Sequence, residues 1–153
     1  VKLDGNWVLY DFVNLQVVKV LSGASLKDKV YITEDNMHVL DVSASSSALT
    51  CYKLEGSKLT VIWWGWANSF SFIPGDPDKI MLLKDKMIEI RSITSNQVLS
   101  SFSVDALYIG GIDPSDNTVM FRMNYPNETL TIYNYLSGEK IKQMAISYSH
   151  PLR

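Results

Sequence analysis

Apolar and polar residues alternate along most of the chain, and the alternation recurs at a nearly fixed spacing. Four segments of fifteen residues align without a gap, starting at Trp7, Leu49, Ile88 and Leu130, and these starting points lie 42, 39 and 42 residues apart. Each segment opens with two apolar residues separated by one other, as at Ile88 and Ile90, which is the period of a strand with one face in a core. Four such segments indicate an internal repeat.

Each segment then reaches polar, turn-forming residues at the same place. These residues are Asn14, Gly56-Ser57, Ser95-Asn96 and Ser137-Gly138. They supply the tight backbone geometry that a hairpin needs, and a second strand follows in every case. The last of these second strands, in "EKIKQMAISY", also fits a helical face, but the four-fold register favours a strand. Each segment is therefore predicted to be a β-hairpin.

Two further strands are predicted before each of the last three hairpins. The pairs are "VYITED" and "MHVLDV", "SFSFIP" and "IMLLKD", and "LYIGGID" and "TVMFRM". In the last two pairs an Asp-Pro turn separates the strands, at Asp76-Pro77 and at Asp113-Pro114. The repeat is thus a four-stranded antiparallel meander of about 41 residues, with strands a, b, c and d in order. The gapless hairpins supply strands c and d.

This pattern resembles the WD-repeat-like and quinoprotein-like β-propellers over nearly the whole chain. The resemblance lies in the architecture, because Tyr10-Asp11 alone keeps the aspartate of a Trp-Asp pair at the end of strand c, and no Gly-His pair occurs. It implies an all-β, β-propeller-like fold in one domain, residues 1–153. The repeat divides this domain into a half blade and three blades, at residues 1–26, 27–66, 67–104 and 105–148.

The number of strands carries a further expectation. Because the first blade lacks strands a and b, the chain should hold 14 strands, about three and a half blades. A closed ring needs at least four full blades. We therefore expect a fragment of a larger propeller, closure with the help of a partner, or a strained four-blade ring. Open sheet edges would also favour self-association.

Three of the four tryptophans stand together in "WWGW", residues 63–66. The repeat places Trp63 at the end of strand d, in register with Leu21, Phe102 and Met144, where it should be packed between blades. Trp64 and Trp66 fall in the crossing from strand d to the next strand a. Both are then candidates for a surface role, and the alternative is that they fold onto the core between blades.

The propellers that the chain resembles commonly bind partners through the face that carries the d-to-a and b-to-c loops. The b-to-c loops here are predicted at "SASSS", Lys84-Asp85-Lys86 and "NYPNE". The predicted binding residues are Trp64, Trp66, Lys84, Lys86 and Tyr125. Aromatic anchors with a charged rim suit the recognition of a protein.

Composition and charge exclude several other classes of function. A net charge of −2, with no basic stripe, argues against nucleic-acid binding. The longest apolar run, near residues 61–74, is short and interrupted, so no membrane span is predicted. One cysteine excludes a disulfide framework and a cysteine-rich zinc site. Neither His38 nor His150 has a catalytic or metal-binding pattern around it, and no phosphate-binding loop is present, so we expect no enzyme, metal site or cofactor.

Three functions follow from the sequence. The leading one is a non-enzymatic interaction scaffold that binds a protein partner through the d-to-a and b-to-c loop face. The second is a secreted carbohydrate-binding propeller in which Trp64 and Trp66 stack on sugar rings, and there the sequon at Asn127 could be glycosylated. The third is part of a propeller enzyme whose catalytic residues lie outside this segment.

Overall fold

A computed structural model describes residues 2–4, 6–11, 13–14, 16–21, 26, 29–43, 45–123 and 128–146. The regular structure in these ranges consists of strands, and none of the described residues forms a helix that could cross a membrane. The strands are β1 (Lys2–Leu3), β2 (Asn6–Asp11), β3 (Gln16–Val20), β4 (Lys29–Ile32), β5 (His38–Val42), β6 (Ala48–Glu55), β7 (Lys58–Trp66), β8 (Ser69–Phe72), β9 (Lys79–Lys84), β10 (Met87–Ser92), β11 (Val98–Ser103), β12 (Tyr108–Asp113), β13 (Thr118–Met123), β14 (Thr129–Asn134) and β15 (Lys140–Ala145).

The strands form four antiparallel sheets, in each of which the order in space follows the order in the chain. Sheet 1 is β1-β2-β3, sheet 2 is β4-β5-β6-β7, sheet 3 is β8 to β11, and sheet 4 is β12 to β15. Three complete four-stranded meanders confirm the predicted all-β repeat, and β15 confirms that "EKIKQMAISY" supplies a strand rather than a helix.

The described residues hold fifteen strands rather than the 14 predicted, because sheet 1 has a short additional strand. Lys2 and Leu3 pair with Trp7 and Asn6, so that β1 occupies the place of strand b. Two residues give too little alternation for a pattern to be recognised, which is why the sequence did not predict this strand.

A β-bulge interrupts the c–d hairpin of every sheet at the same point of the repeat. The register shifts after the third residue of each aligned segment, at Leu9, Cys51, Ile90 and Ile132. The extra residue on strand d is Val18, Ile62, Leu99 or Ile141. A bulge increases the local right-handed twist, so each hairpin receives the same additional twist at the same position.

The hairpin of sheet 2 differs from the others in its turn. Strands β6 and β7 pair as far as Glu55 and Lys58, so only Gly56 and Ser57 form the turn. Leu49 consequently pairs with Gly65, whereas the equivalent Ile88 of sheet 3 pairs with Phe102. The predicted register of Trp63 with Phe102 is therefore wrong by two residues.

The chain folds into two compact units, residues 1–66 and residues 67–153. The first unit contains sheets 1 and 2, and its core joins four buried residues of sheet 2 to partly buried side chains from both sheets and the segment between them. The buried residues are Val39, Tyr52, Leu54 and Leu59, and the residues packed against them are Leu21, Leu26, Val30 and Ile32. Alternation in β6 brings Tyr52 and Leu54 to the same side of the sheet.

The second unit contains sheets 3 and 4, and its larger core lies between them. Sheet 3 contributes Met81, Leu83, Ile88 and Ile90, while sheet 4 contributes Val119, Phe121 and Tyr133. The ring of Tyr133 stacks on Phe102, with centroids 6.0 Å apart, and meets Phe121 edge-on at 5.5 Å. Aromatic pairs in these arrangements are more stable than their buried area alone would suggest.

Candidate functional site

Two aromatic side chains stand out on the outer strand of sheet 2. Trp64 is 81% exposed and Trp66 is 44% exposed, while Trp63, which precedes them, is only 6% exposed. The pairing partners of Val61, Trp64 and Trp66 are Tyr52, Thr50 and Ala48, which alternate along one side of β6. Val61, Trp64 and Trp66 therefore share one face, and we call them the tryptophan ridge.

The structure places Trp64 and Trp66 inside strand β7, which corrects the prediction that they belong to the crossing between blades. The cause is the two-residue turn at Gly56-Ser57, which lengthens the pairing and carries β7 on to Trp66. Trp64 and Trp66 are both exposed, so both stay candidates for a surface role, and the alternative in which both fold onto the core is wrong for Trp64. Trp63 is buried, as predicted, and pairs with Cys51.

The two predicted lysines lie in the second unit, at the b-to-c connection of sheet 3. Lys84 Nζ is 2.9 Å from Glu89 Oε2, and Lys86 Nζ is 2.8 Å from Asp105 Oδ1. Arg91 Nε also donates to Glu89 Oε2, at 2.8 Å. Burial raises the pKa of the Glu89 carboxyl, but the hydrogen bonds from Lys84 and Arg91 outweigh it and lower that pKa overall. Both lysines thus already have carboxylate partners.

The fifth predicted binding residue, Tyr125, lies outside the described residues, as does the sequon at Asn127. The remaining four are divided between the two units, with the tryptophans in the first and the lysines in the second. We therefore treat each unit by itself, with the tryptophan ridge in the first and Lys84-Asp85-Lys86, which we call the lysine loop, in the second.

The other chemically notable side chains are structural. Burial raises the pKa of the Cys51 thiol to about 12, so this residue is an inert member of the strand at neutral pH. His38 is 8% exposed in β5, and its Nδ1 lies 4.0 Å from Asp35 Oδ2. Asp113 accepts hydrogen bonds from the main chain and the hydroxyl of Ser115, as a turn residue does. Across the described ranges, no cluster of three or more His, Cys, Asp or Glu side chains could hold a metal ion.

A cleft that sequence reasoning missed opens between sheets 3 and 4. It has a volume of about 560 Å³, within the range of small-ligand sites. The a-to-b turns of both sheets line it, with Pro74, Asp76 and Lys79 from one and Pro114 and Asn117 from the other. Residues of strands β10 and β11 and of the c-to-d turn of sheet 4 complete the wall: Ile90, Leu99, Ser100, Tyr135 and Leu136.

A signal for this cleft was present in the sequence. The Asp-Pro pairs at Asp76-Pro77 and Asp113-Pro114 mark equivalent turns in successive repeats. Equivalent turns of adjacent sheets lie side by side, so two such turns form neighbouring walls. The prediction instead placed binding at the d-to-a and b-to-c connections.

Comparison with known proteins identifies the fold and leaves the function open. No family model and no curated protein matches the chain. Among solved structures, the chain is similar to hydrazine synthase of Kuenenia stuttgartiensis, with a TM-score of 0.65 and 13% identity, over 93% of this chain and 44% of that one. It is also similar to a chain of the mitotic checkpoint complex, with a TM-score of 0.62 and 13% identity, over 87% of this chain and 43% of that one.

The fold is a partial β-propeller. The three complete four-stranded meanders and both structural neighbours agree on this architecture. The chain spans less than half the length of each neighbour. At 13% identity the likeness concerns the fold alone, so the function has to be argued from the surfaces described above.

Proposed function

We propose that this chain is a non-enzymatic β-propeller scaffold that binds a protein partner, with the tryptophan ridge as the main contact. The observation that carries the proposal is the 81% exposure of Trp64 on the outer strand of a sheet. Tryptophan is strongly enriched among the residues that dominate binding energies at protein interfaces. An indole left in water at this position has a large apolar area that a partner could bury.

The strand that carries the ridge adds a second means of binding. β7 is the last strand of sheet 2 and pairs with β6 along one edge. Its nine residues are enough for an extended peptide to add to the sheet through main-chain hydrogen bonds. Trp64 and Trp66 would then contact alternate side chains of that peptide. The ridge would thus add to the affinity for an extended peptide and would also fix the register in which the peptide pairs with β7.

The lysine loop has a secondary part in this proposal. Lys86 and Asp105 form an exposed ion pair, and such pairs stabilise a protein by little. An acidic group on a partner could replace Asp105 at small cost, which would give the second unit a charged contact of its own. One structural neighbour is a chain of the mitotic checkpoint complex, which supports a scaffold role.

Selection of peptides from a displayed library against the intact chain tests the proposal. Trp64→Ala and Trp66→Ala should each weaken the selected binders by tenfold or more, since anchors of this kind contribute about 2 kcal/mol or more. Tyr108→Ala is the matched control, because Tyr108 is an aromatic of comparable exposure in the second unit. Selected peptides whose affinity is unchanged by both tryptophan substitutions would overturn the proposal.

Stability measurements provide the folding control. Trp64→Ala should change the free energy of unfolding by less than about 1 kcal/mol, because the indole is mostly solvated. Trp63→Ala should cost about 3–5 kcal/mol, because that indole is buried. An equally large loss at Trp64 would show that the ridge belongs to the core.

A carbohydrate ligand is the second candidate, since an exposed indole face can also stack on a sugar ring. A glycan array and the quenching of tryptophan emission by simple sugars separate the two candidates. Sugar binding that Trp64→Ala abolishes would favour the carbohydrate function. A response to peptides without any response to sugars supports the scaffold.

A further inference from the structure

We propose that the cleft between sheets 3 and 4 is a second binding site, which takes an uncharged peptide segment through one large apolar side chain. It lies wholly within the second unit and shares no residue with the tryptophan ridge. The proposal therefore stands or falls independently of the function assigned to the ridge.

The first wall of the cleft is held by its own hydrogen bonds. In the a-to-b turn of sheet 3, Ile73 N donates to Lys79 O at 3.2 Å, and Lys79 N donates to Asp76 O at 3.1 Å. Asp78 anchors the same turn to the next hairpin by accepting from Ser92 Oγ and from Thr94 N, each at 2.8 Å. This wall is in place before any ligand arrives, which lowers the entropic cost of binding.

The opposite wall is fixed in the same way. Tyr135 Oη donates to Asn117 Oδ1 at 3.2 Å, and Tyr135 N donates to Asn117 O at 2.9 Å. Gly138 lies against Phe102, so close that a Cβ atom at Gly138 would stand 2.7 Å from the Phe102 Cβ. The c-to-d turn of sheet 4 is thereby held against the outer strand of sheet 3, beside Leu99 and Ser100. Both walls are preformed.

The lining contains an unused hydrogen-bonding group. Ser100 Oγ is buried and has no hydrogen-bond partner among the residues that the structure describes. A buried hydroxyl without a partner is unfavourable, and such groups are rare in folded proteins. Ser100 lines the cleft together with Ile73 and Ile90, which are nearly fully buried. A ligand that brings a main-chain carbonyl or amide beside Ser100 would satisfy the hydroxyl once its side chain turns toward the cleft.

The charges around the cleft exclude an ionic ligand as the preferred occupant. Lys79 Nζ lies 2.7 Å from Asp76 Oδ2, and the hydrogen bond that it donates to this carboxylate is the main cause that raises the pKa of Lys79. The pair is therefore neutral as a whole, so the cleft has no net charge that would select a phosphate or a metal. The site favours groups that are polar but uncharged.

Apolar side chains at the rim of the cleft indicate which kind of ligand it binds. Leu136 is 63% exposed, and Leu99 is about half exposed. These side chains, with the prolines of the two turns, present an apolar mouth around an interior that is lined by both apolar and polar side chains. A peptide combines both requirements, because a leucine or phenylalanine side chain fills the interior while its flanking amides reach Ser100 and Asn117. The geometry thus favours a peptide over a sugar or an anion.

The test uses capped peptides of the form acetyl-Gly-Xaa-Gly-amide, with Xaa as phenylalanine, leucine or alanine, followed by NMR of the isotope-labelled chain. The phenylalanine and leucine peptides should shift the amide signals of Ser100, Asn117 and Tyr135, and the alanine peptide should have little effect. Inorganic phosphate and glucose are the competing probes. Shifts at these residues with phosphate or glucose, or none with any peptide, would overturn the proposal.

Two substitutions sharpen the test. Ser100→Ala should weaken peptide binding by roughly 3- to 10-fold, since it removes one hydrogen bond, while leaving the thermal stability unchanged or higher. Leu136→Asp should weaken binding by about tenfold or more, because it places a charge at the apolar mouth. Leu107→Asp is the matched control, as Leu107 is 43% exposed and lies outside the lining. Equal losses for the two leucine variants would contradict the assignment of the cleft.

Discussion

Sheets 3 and 4 carry the same pattern of apolar positions on one face, and the two faces differ in their burial. In sheet 3, Ile88, Ile90 and the neighbouring Met81 are almost completely buried against sheet 4. The equivalent residues of sheet 4 are Leu130, Ile132 and Met120, and all three are half-buried. Gly111, Met120 and Ile132 line a shallow depression of about 240 Å³ on that face.

The difference shows what a repeat pattern specifies. The pattern fixes which side of each sheet is apolar, because alternation assigns every residue of a strand to one side or the other. The pattern does not specify which residues pack against that side. In sheet 3 the cover is the aromatic face of the next sheet, with Phe121 and Tyr133. The same apolar pattern in sheet 4 is compatible with the packing of a further sheet of this kind.

The largest expected effects come from a matched pair of substitutions at equivalent positions. Ile90→Ala should lower the free energy of unfolding by about 2–5 kcal/mol, because it leaves a cavity in the closed core. Ile132→Ala should lower it by about 1 kcal/mol, since its side chain is half solvated already. Denaturant titration of both variants measures the difference. Equal losses would show that the two faces are equally well covered in solution.

A smaller effect is expected where the two sheets meet most closely. Gly138→Ala should cost about 1–3 kcal/mol, because the residue has a φ of +74° and a new Cβ would collide with Phe102. Gly75→Ala is the matched control, with a φ of +77° and open space around it, so that only the backbone strain remains. If thermal unfolding shows the same loss for both, Phe102 moves aside and the approach of the two sheets is loose.

The smallest effect concerns a charge that sheet 3 has and sheet 4 lacks. Glu89 accepts from Lys84 and Arg91, and the equivalent residue of sheet 4 is the buried Thr131. Because these interactions lower the pKa of Glu89 in the folded chain, its contribution is present above the unfolded pKa and is lost as pH falls through the folded value.

Glu89→Gln should therefore cost about 1 kcal/mol or less near neutral pH and nothing in acid, which unfolding curves at several pH values would measure. Thr131→Ser is the control in sheet 4, and its effect should not depend on pH. A loss at Glu89→Gln that stays constant from neutral pH to acid would contradict the role of the ion pairs.

The sheets could be predicted from the sequence because the same pattern of apolar and turn-forming residues recurs four times along the chain. The strand in "EKIKQMAISY" illustrates this, since its local period allowed a helix and its place in the repeat required β15. The candidacy of Trp64 for a surface role also came from the repeat, because no equivalent crossing contained an aromatic residue. Both inferences rest on comparison within the chain rather than on local propensity.

The register of the second hairpin was missed for a local reason. The left-handed residue is the eighth of the aligned segment at Gly56 and the ninth at Asn96 and Gly138. In the later hairpins, Asn96 N and Gly138 N donate to carbonyls four residues earlier and close longer turns. A glycine at the first of two turn positions indicates a two-residue turn. The difference of one position in the left-handed residue therefore changed the pairing of β7 and, with it, the placement of the tryptophans.

The cleft could not be predicted from composition, because it depends on how two turns and an outer strand meet. Ser100 is an ordinary strand serine in the sequence, and its lack of a hydrogen-bond partner emerges only from packing. Likewise, the carboxylates that pair with Lys84 and Lys86 lie at different distances along the chain. No common sequence spacing therefore identifies these two ion pairs. Predictions of this kind require coordinates, since they depend on side-chain distances.

The bulge shared by all four hairpins has a consequence for how such a chain can diverge. The turn beyond it varies from two residues to longer loops, while the residues before it keep their side of the sheet. Each bulge thus separates the start of the hairpin, which keeps its side of the sheet in all four repeats, from the tip, where the length of the turn differs. Duplicated units could accumulate changes in their tips without disturbing the interior, which would explain how clear structural repeats coexist with little common sequence.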